Sequence, residues 1–478
     1  MMTAEQMRRR LPCRLCIGAL LLLFAMGTAM NTTIAEDSFV RVSPRDARYF
    51  ELSNGEPYIA IGLNMIGPPG KEGLDVMSAW MENLSANGGN FIRVWLSSAY
   101  FDVEHRRCGE YDEEKAKRID AMLALAQKRG IRVKMCIESF RHLGEGKQPW
   151  FGKPLHLIQN GGTAASTADF FDGERSRDQF KRKLAWLTKR YGDNPTIFGW
   201  ELWNEINCVA GGDYMAWTET MLAELHRLFP KNLAMQSLGS FDGEWGRKPY
   251  ERLSVMPGND VAQVHRYLDL GARFDVCRGP MDLLAANAVR TLQSYRPNRP
   301  ILLAESGGVE PRHSGPLKLY EKDTAGILLH DVLFAPFFCG SAGTGHIWHW
   351  DLYVAKMNLW PHFRRFAEVV KGIDPPAERF EPMMLPHPRL RVYALKGQHT
   401  TLMWCRDSQN TWQTELAGGK APETIRQAAL DVSPVTGAKA GLQVKFYDPW
   451  ENRWSEGKLD GARLVLPDFQ RSIVVRLE

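Results

Sequence analysis

A chain of 478 residues, 44% hydrophobic and 24% charged with a mean hydropathy of -0.32, suits one large domain plus a smaller one. It excludes a disordered chain and a polytopic membrane protein. The formal charge of +5 is concentrated at the N-terminus, where Arg8, Arg9, Arg10 and Arg14 against Glu5 supply +3, and the +2 that remains is no footprint for nucleic acid.

The basic patch Arg8–Arg14 precedes an apolar run from Leu15 to Met30, with small residues near Ala29 and Ala35. The run is shorter than the roughly 20 residues of a spanning helix. Residues 1–35 therefore read as a cleaved secretory signal, the mature chain as secreted or periplasmic, with no stable membrane insertion after cleavage. Beyond it six cysteines remain, at 108, 136, 208, 277, 339 and 405, too scattered for a zinc site, and they read as buried free thiols.

From residue 57 to 374 short apolar strands alternate with amphipathic helices. The expected strands are 58–65, 90–96, 131–139, 197–205, 232–238, 261–267, 301–306 and 343–351. Expected helices span 113–129, 177–191, 214–228 and 281–295; in the second of these Phe180, Leu184, Leu187 and Tyr191 recur at helical spacing. Between the fifth and sixth strands the helical signal is weak. The segment 141–173, rich in Gly and aromatics, reads as a loop over the mouth. Eight strands interleaved with helices point to an α/β fold, a (β/α)8 TIM barrel over residues 36–378.

After Asp374-Pro375-Pro376 the pattern changes to short strands at 390–395, 400–405, 442–447, 463–466 and 472–477, separated by Gly-, Pro- and Asp-containing turns. Residues 379–478 are expected to form a small all-β sandwich packed on the barrel. Trp404, Trp412, Trp450 and Trp454 read there as packing residues.

In a barrel the chemistry sits at the C-terminal ends of strands. Two ends carry a glutamate after an apolar run: Gly199-Trp200-Glu201-Leu202-Trp203-Asn204-Glu205 on the fourth strand and Ile301-Leu302-Leu303-Ala304-Glu305-Ser306 on the seventh. A carboxylate there is costly to desolvate unless it is paired or used.

Trp-Asn-Glu closing strand four and a lone Glu closing strand seven resemble clan A glycoside hydrolases, most closely family 5 with its β-mannanases and cellulases. The resemblance spans residues 38–374. It implies Glu205 as acid/base and Glu305 as nucleophile of a double displacement, with Asn204 holding the 2-hydroxyl of the reacting sugar. By the same resemblance Arg93 steadies the nucleophile, Tyr267 donates to it, and His265 orients sugar or acid/base. A Trp on strand eight, Trp348 or Trp350, would floor the sugar site. Where many family 5 enzymes carry a histidine at the end of strand three, this chain has Glu138, which would take that polar role or bind a hydroxyl.

The resemblance thus implies a retaining hydrolase of β-linked mannan- or glucan-type glycans, needing no cofactor and taking an oligo- or polysaccharide as partner. Retention requires the two carboxyl groups to sit about 5–5.5 Å apart. That proximity, with Trp200 and Trp203 as apolar walls, should raise the Glu205 pKa. No metal is expected at His346 and His349, since strand positions three apart point to opposite faces. The alternative from another class is a carbohydrate-binding protein that has lost catalysis, which need not keep both glutamates.

Overall fold

The computed structural model describes residues 38–69, 73–139, 143, 154–209, 211–437 and 441–478. The expected signal segment, and residues 141–142 and 144–153 of the expected loop, lie outside the described residues. Among the described residues no helix is long and apolar enough to cross a membrane.

Three short strands at Val40–Val42, Phe50–Leu52 and Pro57–Tyr58 form an antiparallel sheet ahead of the barrel. The barrel wall begins with β1 (Gly62–Asn64), β2 (Phe91–Trp95), β3 (Arg132–Ser139), β4 (Ile197–Asn204) and β5 (Leu233–Met235), hydrogen-bonded in that order and all parallel. Their residues are buried throughout, which is why these strands read as continuous apolar runs rather than alternating ones. In register, Asn64 lies opposite Arg93 and Arg93 opposite Lys134, so three polar side chains stand abreast across β1, β2 and β3.

The Asp260 N–H bond to the Ala234 carbonyl (2.9 Å) links β5 to β6 (Ala262–His265). β6 pairs in parallel with β7 (Ile301–Glu305), and His265 stands opposite Glu305. The expected eighth strand is not a regular strand. Residues 343–347 close the barrel through isolated parallel bridges, Ala60 to Gly343 and Ser306 to Ile347, and Trp350–Ala355 forms a turn of π-helix. Two local features account for this: the Thr344 hydroxyl accepts from the Gly62 N–H in place of a ladder carbonyl (3.2 Å), and a Cβ on Gly343 would sit 2.4 Å from the Ala60 oxygen.

Helices α1 (Gly73–Ala86), α2 (Glu113–Lys128), α3 (Glu174–Tyr191), α4 (Tyr214–Leu228), α5 (Arg247–Ser254), α6 (Met281–Ser294), α7 (Ile327–Phe338) and α8 (Pro361–Val370) follow the strands. α2 starts where Asp112 accepts from the N–H groups of Glu114 and Lys115, satisfying donors that a helix start leaves open. α3 buries Phe180, Leu184, Leu187 and Tyr191, the ridge legible in the sequence. α5 is two turns long and buries only Tyr250, Leu253 and Ser254, hence the weak signal between strands five and six. The expected loop over the mouth is partly helical: Thr167–Asp172 is a short α-helix whose Phe170 packs on Trp203 (5.5 Å).

Beyond the barrel, Glu381–Leu385, Leu390–Lys396, Thr401–Asp407, Ser472–Leu477, Val444–Asp448 and Arg453–Gly457 form one antiparallel sheet in that spatial order. Two small sheets, built from 424–425 with 469–470 and from 429–431, 459–460 and 463–465, share an apolar core with it through Val392, Met403, Leu430, Leu464, Phe469 and Val475. Trp404 meets Phe334 of α7 (5.7 Å). Ion pairs reinforce the contact: Arg391 with Asp282 (2.6 Å) and Arg406 with Asp331 (2.9 Å). Trp412 donates to the Gly279 carbonyl (2.9 Å). All four tryptophan positions expected as packing residues are described; Trp404 and Trp412 are buried against barrel elements, and Trp450 lies against His330 of α7 (4.6 Å).

Ending the chain after residue 378 would uncover the apolar face of α7 at Phe334 and Phe338. The truncated protein should lose soluble yield, bind a hydrophobic dye and melt at least ~10 °C lower. A soluble truncated monomer with the full-length melting temperature would show that this contact contributes little.

Candidate active site

The barrel interior below the strand ends holds charged side chains in an apolar wall. Arg93 is fully buried and spends its whole guanidinium on partners. Nε and Nη2 donate to the two Glu201 oxygens (2.8 Å each), Nη2 also to Asn204 Oδ1 (2.7 Å), and Nη1 to Asn64 Oδ1 (3.3 Å) and to Glu305. Lys134 reaches Glu201 (3.2 Å) and donates to Gln263 (2.7 Å). Burial works against the Glu201 carboxylate, yet Arg93 and Lys134 outweigh it and hold the pKa down at about 2. Burial brings the Lys134 ammonium down to about 8 despite Glu201.

Above this layer the two expected glutamates converge. Glu205, just past β4, has left-handed backbone (φ 53°, ψ 51°), a conformation that costs a non-glycine residue about 1–3 kcal/mol and that clusters at functional sites. Its N–H donates to the Ser237 hydroxyl (3.1 Å). His265 Nδ1 lies 2.9 Å from Glu205 Oε1 and 3.4 Å from Glu305 Oε2. Tyr267 donates to Glu305 Oε2 at 2.7 Å. Burial and the charges of Glu305 and Glu205 push the Tyr267 phenol well up, so it remains a donor. One oxygen from each glutamate and a His265 nitrogen all lie within 4.8 Å of one another.

That trio could in geometry ligate a cation. Arg93 already places a fixed positive charge on Glu305, which works against a metal ion there.

A cavity of about 380 Å³ opens over the pair, lined by Asn204, Glu205, Tyr267, Glu305, Trp348 and Trp350 among others. Trp348 is half-buried and tilts against Trp95 (5.3 Å), while Trp350 is nearly buried and stands edge-on to Trp348 (6.0 Å). His349 lines the cavity and meets the Tyr320 hydroxyl (3.2 Å), whereas His346 is buried in the core, stacked on Phe91 (4.3 Å).

Three expectations need correction. Trp200 and Trp203 do not wall the cleft: both are fully buried, Trp200 against Phe229 and Trp203 against Phe170 and Trp217. The Glu205 pKa is lowered, not raised. Burial pushes it up, but the His265 hydrogen bond and the positive charges of His265, His313 and Arg93 win. Glu138 is not among the cavity-lining residues; it is buried with Lys183 of α3, which it contacts directly and which also pairs with Glu104 (3.0 Å), and with His156 (3.5 Å). A buried ammonium needs carboxylate partners, and Glu138 supplies one.

Sequence reasoning missed Trp95, Lys134, Cys208, Glu201 as a partner of Arg93, and His313. Cys208 places its thiol 3.8 Å from Glu205 Oε2. Of the six cysteines all are free, but Cys208 is exposed and Cys108 half-exposed, against the expectation that they are buried. Charged residues in the middle of apolar strands were the available signal for Lys134 and Glu201. His313 carried none.

Residues 54–326 match the cellulase family, glycosyl hydrolase family 5. The chain is 26% identical over 380 residues to a putative mannan endo-1,4-beta-mannosidase 9 of Oryza sativa subsp. japonica, a match covering 72% of this chain and 88% of that protein. It is 27% identical over 244 residues to the mannan endo-1,4-beta-mannosidase 4 of the same organism, covering 46% of this chain and about half (51%) of that protein. A glycoside hydrolase family 5 structure from Bacteroides vulgatus superposes with a TM-score of 0.59 at 15% identity, covering 92% of this chain and 93% of that one, a likeness of fold. The fold and the match together define a TIM-barrel glycoside hydrolase. The chain belongs to glycosyl hydrolase family 5.

Proposed function

We propose that this protein is a secreted, retaining hydrolase of β-linked mannan- or glucan-type glycans, with Glu305 as nucleophile and Glu205 as acid/base. The observation that carries the reading is that one oxygen of each carboxylate lies within 4.8 Å of the other, with Glu305 held by Arg93 and Tyr267 and Glu205 by His265. Inverting enzymes need roughly 6.5–9.5 Å between carboxyl groups to admit a water, so the closeness favours direct attack by Glu305.

In the first step Glu305 attacks the anomeric carbon while Glu205 protonates the departing oxygen. In the second Glu205, now a base, takes a proton from water, which displaces Glu305. Asn204 gives its amide oxygen to Arg93, leaving its NH2 for the sugar 2-hydroxyl. Trp348, half-buried over the cavity, is the better candidate for the sugar floor. The rice relatives are named for endo-1,4 cleavage of mannan, so β-1,4-mannan is the first substrate to try.

The domain plan proposed with this activity is a leader over 1–35, a catalytic barrel over 36–378 and a sandwich over 379–478, supported by the shared apolar core of the C-terminal sheets. Incubating the full chain with mannan, glucomannan and mixed-linkage β-glucan, then sizing products and reading the first-formed anomer by proton NMR, tests the proposal. Oligosaccharides released as the β-anomer are expected. An α-anomer formed first would overturn retention, and intact, folded protein that cleaves none of these would overturn the substrate class.

A further inference from the structure

In the loop beyond Glu305, Arg312 and His313 both have left-handed backbone, with φ of 61° and 56°. Such geometry in adjacent non-glycine residues persists only where the surroundings impose it. Here one buried carboxylate does so. Asp269, just past β6, accepts from the N–H groups of Gly271 (2.6 Å) and Arg312 (3.0 Å) through Oδ1, while Oδ2 meets His313 Nδ1 (3.2 Å). The other ring nitrogen of His313 meets the Ser240 hydroxyl beyond β5 (3.2 Å).

The imidazole so clamped lines the cavity and stands edge-on to Tyr267, ring centroids 4.9 Å apart at 79°. With both nitrogens engaged, the ring has no polar atom left for a sugar. What it offers the site is bulk behind Tyr267 and charge.

The charged and titratable groups around it are Asp269 and Tyr267 past β6, Asp242 past β5, Glu205 past β4, Glu305 of β7 across the same cavity, His349 in the closing segment, and Arg312 beside it. Burial would push the His313 imidazole down, but the Asp269 bond and the charges of Glu205, Asp269 and Asp242 raise it above its ordinary value. The side chain is 39% exposed, all the same, so solvent damps this until a sugar covers it.

We propose that His313 is a positioning residue, braced by Asp269 and Ser240, that fixes Tyr267 against Glu305 and sets an imidazole paired with a carboxylate, hence cationic, in the cavity that Glu205 also lines. The role rests on the reading of Glu205 and Glu305 as the catalytic pair. It acts on both steps: Tyr267 stays aimed at the nucleophile, and Glu205 is favoured in the ionised form that the second step needs as base.

The test compares wild type with His313→Gln and Ser240→Ala, using 2,4-dinitrophenyl and 4-methylphenyl β-mannobiosides and β-cellobiosides over a pH series. The Glu205 carboxyl is followed independently by NMR of protein labelled with 13C-glutamate, assigned with Glu205→Gln. His313→Gln should lower kcat about tenfold with KM changed less than about twofold, and move the alkaline limb of kcat/KM for the poor leaving group to higher pH. The Glu205 resonance should titrate higher in parallel. Ser240→Ala should shift both in the same direction by less, and serves alone if His313→Gln does not fold. An unmoved limb and an unmoved resonance in a folded variant overturn the proposal. A parallel Glu305→Gln separates the two readings: if it keeps full turnover the catalytic pair itself is wrong, and if it loses turnover while the His313 readouts stay put, only the His313 role fails.

Discussion

Glu305→Gly and Glu205→Ala should each lower turnover of an unactivated glycan by on the order of 10⁴-fold, and azide should then rescue the two variants to opposite anomers. In Glu305→Gly the attacking carboxylate is gone and Glu205 still donates a proton. Azide entering the vacated face attacks once and gives the α-glycosyl azide. In Glu205→Ala, Glu305 still attacks a substrate whose leaving group needs no protonation, and the glycosyl-enzyme then stalls for want of a base. Azide needs no base, so it restores turnover and gives the β-glycosyl azide. The same anomer from both, or rescue of neither in folded protein, would refute the assignment of roles. The backbone supplies a second readout at this position. Because Glu205 sits at φ 53°, Glu205→Gly should be more stable than Glu205→Ala by about 1 kcal/mol, a difference that thermal melts resolve.

The motif at β4 and the one at β7 were legible because each sets a carboxylate at the end of an apolar strand, a placement that simple burial does not favour. Arg93 was legible for a related reason, as a lone charge inside Phe91-Ile92-Arg93-Val94-Trp95. Lys134 and Glu201 carry the same local signal, but only the barrel's register shows that all three meet. α7 left no helical stripe to find because every one of its residues is buried, and a helix covered on all sides has no polar face to set a period. The eighth strand was over-read for the converse reason: Gly345-His346-Ile347-Trp348 alternates like a strand, yet close backbone contacts at Gly343 and Gly345 replace the ladder by isolated bridges. Trp200 and Trp203 closely precede Glu205 in sequence but pack outside the cleft, so adjacency along the chain misplaced them and, with them, the direction of the Glu205 shift. His313 depends on Asp269, 44 residues away and on another strand end, and nothing local announces that pairing.

Replacing Glu201 with Gln should be the most destabilising single change in the barrel interior, by about 3–5 kcal/mol, although Glu201 does not line the cavity. Two buried cations, Arg93 and Lys134, are balanced there by two buried carboxylates, Glu201 and Glu305. Neutralising Glu201 leaves one positive charge without compensation, and Arg93 loses the bidentate grip that aims its remaining nitrogen at Glu305. kcat should therefore fall by about two orders of magnitude as well, since a misplaced positioning group weakens the attack. The pH dependence gives the sign. Glu201 titrates at about 2 in the folded protein against an ordinary 4.5, so its contribution is present above 4.5 and is lost as pH falls towards 2. Lys134 titrates at about 8 against an ordinary 10.5, so the unfolded chain holds more protons between those values and stability gains from this group as pH rises through that window. Glu201→Gln should flatten the acid limb of the stability curve. Because Glu201 is what holds the Lys134 pKa up, the variant's Lys134 sheds its proton below pH 8, so the loss should shrink as pH rises towards 8 and level off above it. Adding Lys134→Met restores the balance of one cation to one carboxylate, so the double variant should recover much of the lost stability while kcat stays low, because Arg93 remains unanchored. Urea melts of wild type and the two variants between about pH 2 and pH 9 measure this directly, and a double variant no more stable than Glu201→Gln would mean that packing, rather than charge balance, governs the barrel interior.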